Sequence, residues 1–260
     1  MSEERLGEAV IERALDPPHL LRLAQGDFAA VFAAYEEHAR RWELPFDDTT
    51  HPYILPGLAA LGLHLSLLMN DQTVGVTLNV VSPALNVFLT GDAGNHTLTG
   101  RVFLEGVRTA TTNRMFVESF RPQSGVSKST LDVHSNDVLG MFEEYYARSE
   151  QFPARFLQLS PTRFGMIEAL PDGGHERLEG LAKDALPALF SGPRDMVFEH
   201  RFQFRCGCSP VKITRALRQM FKGRDAELFR SDPGVEAFCP RCGARWWIER
   251  GAYDAVVLDE

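Results

Sequence analysis

Cys206-Gly207-Cys208 and Cys239-Pro240-Arg241-Cys242-Gly243 are the two stretches that decide how the end of this chain folds. Together they contain all four cysteines of the 260 residues. Structural zinc is bound in a tetrahedron by four soft ligands, and cysteine pairs separated by one or two residues supply such ligands. We therefore predict one Zn²⁺ site per chain, with these ligands: Cys206, Cys208, Cys239 and Cys242.

The residues beside the cysteines favour turns that aim the sulfur atoms at one point. Pro240 pre-sets the turn of the C-x-x-C stretch, and Gly243 tolerates the positive φ that commonly follows such a pair. In a regular strand the side chains of Cys206 and Cys208 would stand about 7 Å apart, so the backbone must leave strand geometry there. Residues 206–260 are too few for a secure core, and we predict a small domain that depends on its metal.

Local signals predict the remaining elements of this small domain. Ser209-Pro210 is a typical helix start, with the serine as cap and the proline in the first turn, and Gly223 is a helix stop. Trp246–Ile248 has the composition of a strand, and residues 252–258 are predicted to form a closing helix.

Residues 1–171 are predicted to form a main α+β domain with an antiparallel sheet and helices. Apolar residues with a period near 3.6 predict helices at 27–42, 53–69 and 135–152. Alternation with a period of two predicts strands at 73–80, 85–89, 96–103, 107–120 and 126–133, and a strand pair within 156–167. Residues 1–16 are predicted to be a short amphipathic helix or a frayed arm, because Asp16-Pro17-Pro18 breaks it.

The strongest break in the chain is Pro171–Gly174, which we take as the end of the main domain. The apolar spacing between Leu178 and Phe190 is helical and amphipathic, and Ser191-Gly192-Pro193 interrupts it. We therefore predict three parts: a body at 1–171, a metastable linker at 172–205 and a zinc domain at 206–260.

The charge of the chain argues against a general nucleic-acid binder. The net charge is -8 at pH 7, whereas a phosphate backbone requires a basic face. Basic residues are nevertheless concentrated at Arg201, Arg205, Lys212, Arg215, Arg218, Lys222, Arg224 and Arg230. Together with Trp246-Trp247 they leave open an alternative function, a zinc-ribbon nucleic-acid module in which the zinc is purely structural.

The sequence predicts a cytoplasmic protein without a membrane partner. Met1–Arg5 is polar and leads into no apolar signal region, and the apolar stretch 53–69 is short and interrupted. Cytosolic thiols stay reduced, so paired cysteines there are typical of metal-binding or redox-sensing sites. No histidine pair or nucleophile motif predicts catalysis, and we expect the protein not to be an enzyme.

An inert structural zinc knuckle is the simplest interpretation of the four cysteines. Their spacing also allows a redox switch, because the C-x-C pair is close enough to form a strained disulfide and C-x-x-C pairs oxidise readily. The same thiols could therefore leave the metal as two short local disulfides.

The chain resembles the thirty-three-kilodalton heat-shock protein family of redox-regulated holdase chaperones. The C-x-C…C-x-x-C arrangement is similar to that of the family, and residues 137–155, DVLGMFEEYYARSEQFPAR, are similar to its helix with an S-E-Q-x-P-x-R ending. The alternating strands at 73–103 lie where the family has its first β meander. The resemblance extends from about residue 50 to the end of the chain.

The resemblance implies a mechanism. The reduced, zinc-bound protein would be inactive, and oxidation would pair Cys206 with Cys208 and Cys239 with Cys242 and release zinc. The zinc domain and linker would then lose order and expose apolar surface to unfolding client proteins, without ATP. Activated members of the family dimerise, so the resemblance also implies a homodimer.

Overall fold

A computed structural model describes residues 7–16, 20–68, 71–107, 110–171, 174–192 and 195–256. The chain divides into two compact units, Met1–Arg205 and Cys206–Glu260. Asp172 and Gly173, within the predicted domain break, lie outside the described residues. The placement of a separate linker at 172–205 stays a prediction.

The described residues of the larger unit are built on one sheet of ten strands. The strands are β1 (Glu8–Asp16), β2 (Leu21–Asp27), β3 (Thr73–Val80), β4 (Leu85–Asp92), β5 (Thr97–Phe103), β6 (Asn113–Arg121), β7 (Gly125–Val133), β8 (Ala154–Gln158), β9 (Arg163–Ala169) and β10 (Asp195–Phe204). Their order is β7-β6-β3-β4-β5-β10-β1-β2-β9-β8. All neighbours are antiparallel except β10 and β5, which pair in parallel.

The prediction of a helix or arm at residues 1–16 was wrong, because Glu8–Asp16 forms β1 near the middle of the sheet. Ala9 and Ile11 point into the core with no exposed surface, whereas Glu12 points outward, which is strand alternation. β1 pairs with β2 and with β10, and the second pairing joins segments far apart in the chain. A contact of that range leaves no local signal in the sequence.

The helices of the larger unit confirm the α+β class. They are α1 (Ala29–Arg41), α2 (His51–Ser66), α3 (Val138–Tyr145) and α4 (Gly174–Gly180), with a 3₁₀ turn at Leu186–Phe190. α2 packs on β4 and β5 and is buried on nearly all sides, as its apolar sequence predicts. A Cβ at Gly62 would come within 2.8 Å of the Phe28 ring, so the glycine allows this close packing.

The predicted helix at 135–152 changes type after two turns. Asp137 caps α3, accepting a hydrogen bond from the Gly140 N–H at 2.9 Å, although the sequence favoured Ser135 or Asn136 as the cap. Tyr146–Glu150 then forms a π-helical turn. Gln151, with φ of +63°, ends the turn in the left-handed region. The hydroxyl of Tyr146 lies 2.6 Å from the buried His64 Nδ1.

The predicted helical pattern of the linker is only partly seen. α4 and the 3₁₀ turn cover its first part, and Asp195–Phe204 forms β10. Leu178, Leu186 and Phe190 are buried against β2 and β9 in a cluster separate from the main core. The apolar face of this segment is therefore packed on β2 and β9 within the larger unit.

Residues 206–256 of the smaller unit form five short elements around a small core. They are α5 (Pro210–Met220), α6 (Asp225–Phe229), β11 (Gly234–Phe238), β12 (Arg245–Glu249) and α7 (Arg250–Ala255), with β11 and β12 antiparallel. Its buried core consists of Phe229, Ala237, Ile248 and Tyr253. Within the described ranges, no helix of either unit is long and apolar enough to cross a bilayer.

Candidate metal centre

The four cysteines, widely spaced in sequence, meet at one point in the smaller unit. Their Sγ atoms all lie within 4.8 Å of one another. The Sγ atoms of Cys206 and Cys239 are 3.6 Å apart, and those of Cys208 and Cys242 are 3.5 Å apart. Cys239 and Cys242 are buried and the other two are half-buried. The structure thus brings together every residue that the spacing singled out.

The sulfur distances fit a tetrahedral metal site and exclude disulfides in this state. A zinc ion with Zn–S bonds of about 2.3 Å requires ligand sulfurs roughly 3.8 Å apart. A disulfide requires about 2.05 Å, far less than either measured distance. Four sulfur donors without nitrogen or oxygen are the ligand set of zinc or iron–sulfur centres, and they disfavour magnesium and calcium. The cluster could therefore hold one soft metal ion.

The C-x-x-C stretch forms a tight turn between β11 and β12. The Cys239 N–H donates to the Ala244 carbonyl at 2.8 Å, and the Gly243 N–H donates to the Cys239 carbonyl at 2.9 Å. Gly243 has φ of +77°, which confirms the predicted positive φ. These bonds fix the backbone so that both sulfurs face the same side.

The C-x-C stretch leaves strand geometry, as its short spacing requires. Residues 205–209 form no regular element, and Gly207 adopts φ of +66°. Lys212 Nζ donates to the Gly207 carbonyl at 2.8 Å, and Arg241 Nη2 donates to the Cys206 carbonyl at 3.1 Å. Arg241 belongs to the other cysteine stretch, so its hydrogen bond joins the two halves of the site.

Helix α5 begins directly after this stretch and fixes its position. Ser209 caps the helix by accepting from the Lys212 N–H at 3.3 Å, and Pro210 occupies the first turn. The predicted start is confirmed. Because the cap lies one residue after Cys208, the helix holds one end of the ligand loop.

Crowding of the thiols drives their pKa values apart. Hydrogen bonds from the thiols of Cys206 and Cys242 hold the pKa of Cys239 well below its ordinary value. Burial, and then the nearby Cys206, raises the pKa of Cys208 to about 12. Hydrogen bonding to Cys206 and Cys239 raises the pKa of Cys242. Four thiolates can share this space only with a compensating cation.

A few hydrogen bonds stabilise the smaller unit in addition to its apolar core. Arg218 of α5 donates to the carbonyls of Tyr253 and Asp254 at 3.1 and 2.8 Å, which ties down the end of α7. The Tyr253 hydroxyl donates to Asp225 at 2.5 Å. These contacts close the unit around its small apolar core.

Two of the basic residues that suggested nucleic-acid binding make contacts within the smaller unit. Arg218 caps α7, as described, and Arg224 donates to the Met220 carbonyl at 2.9 Å and lies 3.4 Å from Glu227. Trp246 packs against the small core, whereas Trp247 is 58% exposed. Arg218 and Arg224 thus make contacts within the fold, and the nucleic-acid alternative stays a prediction.

Sequence reasoning missed the contributions of Lys212 and Arg241 to this site. Arg241 stood in the quoted C-x-x-C stretch, but no local pattern indicates that its side chain reaches Cys206. Lys212 was counted only among the basic residues. A signal for Lys212 was available. It lies four positions after Cys208, in the first turn of the helix that Ser209 caps, and side chains of a first turn point back toward the preceding loop.

Comparisons with known proteins agree with this geometry. The family model described as Hsp33 protein matches residues 109–249. A 33 kDa chaperonin of Geobacter sp. (strain M21) is 27% identical over 111 residues, which cover 42% of this chain and 34% of that protein. A 33 kDa chaperonin of Aeromonas salmonicida (strain A449) is 23% identical over 264 residues, covering 83% of this chain and 90% of the relative.

A solved structure extends the similarity to the fold. The crystal structure of the 33 kDa chaperonin (heat shock protein 33 homolog) from Thermotoga maritima superposes with a TM-score of 0.70. The match covers 96% of this chain and 97% of the other, at 14% identity. At that identity the likeness shows a shared fold.

Proposed function

The chain belongs to the Hsp33 protein family, and we propose on that basis that it is a redox-regulated, ATP-independent molecular chaperone. In its reduced form one Zn²⁺ is held by Cys206, Cys208, Cys239 and Cys242, and the protein is inactive. Under oxidative stress the protein loses its zinc and holds unfolding client proteins. The observation that carries the proposal is the convergence of all four thiols in one cluster.

The proposed switching step is an oxidation of the ligands themselves. Cys206 pairs with Cys208 and Cys239 pairs with Cys242, and each new S–S bond releases two electrons. With hydrogen peroxide as the oxidant, each disulfide formed from two thiolates consumes one peroxide and two protons and yields two water molecules. A disulfide sulfur is no longer a thiolate ligand, so zinc leaves.

The small core of residues 206–256 supports the proposal that zinc loss unfolds this unit. Apparent binding free energies of structural zinc are about 10–16 kcal/mol in small domains. In this core Phe229 and Ile248 contribute roughly 1.5–3 kcal/mol each before the cost of chain ordering, and Ala237 contributes less. The two proposed disulfides would each lie within one stretch and would not replace the cross-link that the metal provides.

The packing of the predicted linker supports a second part of the mechanism. The side chains of Leu178, Leu186 and Phe190 cover β2 and β9. A Cβ at Gly165 would lie 2.6 Å from Phe190 Cζ, so the ring rests directly on the glycine backbone. Release of the linker would uncover both surfaces of this contact, and both are apolar.

The open face of the sheet supports client binding by the larger unit. Phe116, Phe120 and Val126 are 37%, 47% and 58% exposed, and with Phe88 they line a groove of about 560 Å³. Exposed apolar surface of this kind commonly marks an interaction site. An extended apolar segment of an unfolding protein is the occupant that the chaperone proposal requires.

The remaining parts of the proposal follow the family resemblance. We expect the activated protein to dimerise and to work in the cytoplasm, binding clients and catalysing no reaction. The alternative function is a nucleic-acid module with a structural zinc ion, for which the exposed Trp247 is the specific observation.

One experiment tests the proposed function. Reduced protein is treated with peroxide or hypochlorous acid under mild heat, and zinc release, thiol loss and suppression of light scattering by a heat-unfolded client are followed together. We expect one zinc ion and four thiols lost per chain, and suppression only by the oxidised form. If the oxidised protein does not suppress client aggregation, the chaperone proposal is wrong. Salt-dependent binding of single-stranded RNA by the reduced form would favour the alternative.

A further inference from the structure

A polar cavity of about 370 Å³ lies in the larger unit beside the groove lined by Phe116 and Phe120, and Ser119 lines both. It is bounded by the hairpin-turn end of β6 and β7, the end of α2 and the π-helical turn. Hydroxyl, amide and charged groups line much of it, notably those of Gln72, Ser119, Arg121, Ser127 and Glu150.

The floor of the cavity is a sheet face that changes from apolar to polar along its length. Met115 and Val117 of β6 point inward and are buried, as core residues should be. At the next inward positions Ser119 lies directly opposite Ser127 of β7 in the strand register. Serine hydroxyls are poor core groups, so this end of the hairpin is not built as core.

Strand register places two charged groups at opposite ends of the cavity. Arg121 pairs with Gly125 at the hairpin turn, and Ser129 is four residues further along β7, a distance of about 13 Å. Ser129 Oγ lies 2.7 Å from Ser149 Oγ in the π-helical turn, which carries Glu150. Arg121 is thus near one end and Glu150 near the other.

Both charged groups have only neutral partners within the described part of the chain. Arg121 Nε donates to the Gln72 amide oxygen at 2.8 Å, and Glu150 accepts a hydrogen bond from the Tyr145 hydroxyl. His64 also lines the cavity, and burial lowers its pKa to about 4, so its ring is neutral near pH 7. One positive and one negative charge therefore face the same cavity without an ion-pair partner.

We propose that this cavity binds a small zwitterion with well-separated charges, of the dipeptide class. Its carboxylate would pair with Arg121, its ammonium group with Glu150, and its peptide group would lie over the hydroxyls of Ser119 and Ser127. Two extended residues span about 7 Å, and the long Arg121 side chain covers the remainder of the distance. The π-helical turn at one wall agrees with a functional role, since such turns are frequent at functional sites.

The test uses the full-length reduced protein and calorimetric titration with glycylalanine. Two matched probes each remove one charge: N-acetyl-glycylalanine and glycylalanine amide. We expect saturable binding of one glycylalanine per chain, and at least tenfold weaker binding of either blocked form. No saturable binding of glycylalanine, or equal binding of a blocked form, would overturn the proposal.

Variants locate the binding within the molecule. Arg121→Met and Glu150→Gln each remove one charge and should lower glycylalanine affinity at least tenfold. Lys128→Met is the matched control, because Lys128 pairs with Glu118 across β6 and β7 on the opposite face. Binding that survives Arg121→Met, or that is lost in Lys128→Met, would contradict the assignment. The blocked probes keep the test decisive if a variant fails to fold.

Discussion

The Sγ atoms of Cys206 and Cys239 lie 3.6 Å apart although the two residues are 33 positions apart in the chain. The other short contact, between Cys208 and Cys242, also joins the two cysteine stretches. The disulfides in our proposal instead close each stretch on itself. The reduced geometry and the proposed oxidised pairing therefore differ, and mapping the disulfides distinguishes them.

We expect peroxide-oxidised protein to contain Cys206–Cys208 and Cys239–Cys242. Once the metal leaves, joining cysteines one or two residues apart orders far less chain than joining distant ones. Trypsin cleaves after Arg205, Lys212, Arg230 and Arg241, so the proposed pairing leaves residues 206–212 as a separate peptide and links 231–241 to 242–245. Mass spectrometry that found 206–212 linked to either of the other peptides would show cross-pairing instead.

Removal of one ligand should unfold the smaller unit and leave the larger one folded. In Cys239→Ser we expect loss of bound zinc and rapid hydrogen exchange in β11 and β12, because the small apolar core cannot hold the unit alone. β3 and β4 should stay protected. Met220→Ala is the matched control: it shortens a side chain that is 66% exposed at the end of α5, and it should retain zinc. Native-like protection of β11 in Cys239→Ser would show that the metal is not needed for folding.

Lys212 and Arg241 should slow zinc release by positioning the C-x-C stretch. Each donates to a backbone carbonyl of that stretch, and contacts of this kind commonly change metal affinity roughly 10–100-fold. We expect Lys212→Met and Arg241→Met to release zinc several-fold faster to a chromogenic chelator, and Lys212→Arg to restore the slower rate. Lys222→Met, on an exposed turn, serves as the control. Unchanged release in both variants would show that the two cations do not support the site.

The parts of the site that were predicted correctly are those with local signals. The spacing of Cys239 and Cys242, the positive φ at Gly243 and the helix start at Ser209 each depend on residues within one turn of chain. Most helices and strands of the larger unit were likewise visible from their own periodicity. Local chemistry determines these features, so the sequence displays them directly.

The features that were missed depend on contacts between distant segments. β1 is a strand because β10 and β2 pair with it, although its own residues also suit an amphipathic helix. The bond from Arg241 to the Cys206 carbonyl exists only after the two cysteine stretches have met. The π-helical turn after Tyr145 arises where the helix packs against the buried His64. Periodicity within one segment carries no information on any of these.

Loosening the predicted linker should make activation easier. Phe190 rests on Gly165 and is 6% exposed, so Phe190→Ala should cost about 3 kcal/mol of local packing. We expect this variant to suppress client aggregation at a lower oxidant dose or without heat. Phe152→Ala, at a site that is 42% exposed, is the matched control. If Phe190→Ala needs the same oxidant and heat as the parent protein, linker release does not limit activation.

His64 should make the larger unit less stable in mild acid. The side chain is fully buried beside Tyr146, and burial lowers its pKa from 6.5 to about 4. Between pH 6.5 and about 4 the unfolded chain therefore binds a proton at His64 that the folded chain does not bind. The free energy of unfolding is not reduced by this proton above about pH 6.5, and it falls as the pH drops toward 4. The expected loss is about 3 kcal/mol. Urea unfolding of the larger unit, followed by circular dichroism across this range, measures it.

The variant His64→Gln separates this effect from general acid sensitivity. Glutamine cannot take up a proton, so we expect its unfolding free energy to change less between pH 6.5 and 4 than that of the parent protein, whatever its absolute stability. His175→Gln, at an exposed position on α4, should retain the parent slope. A parent-like slope in His64→Gln would mean that other groups cause the acid dependence. A reduced slope would assign the acid dependence to the buried imidazole together with its electrostatic coupling to Glu150, since Tyr145 and Tyr146 remain neutral at these pH values because burial raises both pKa values.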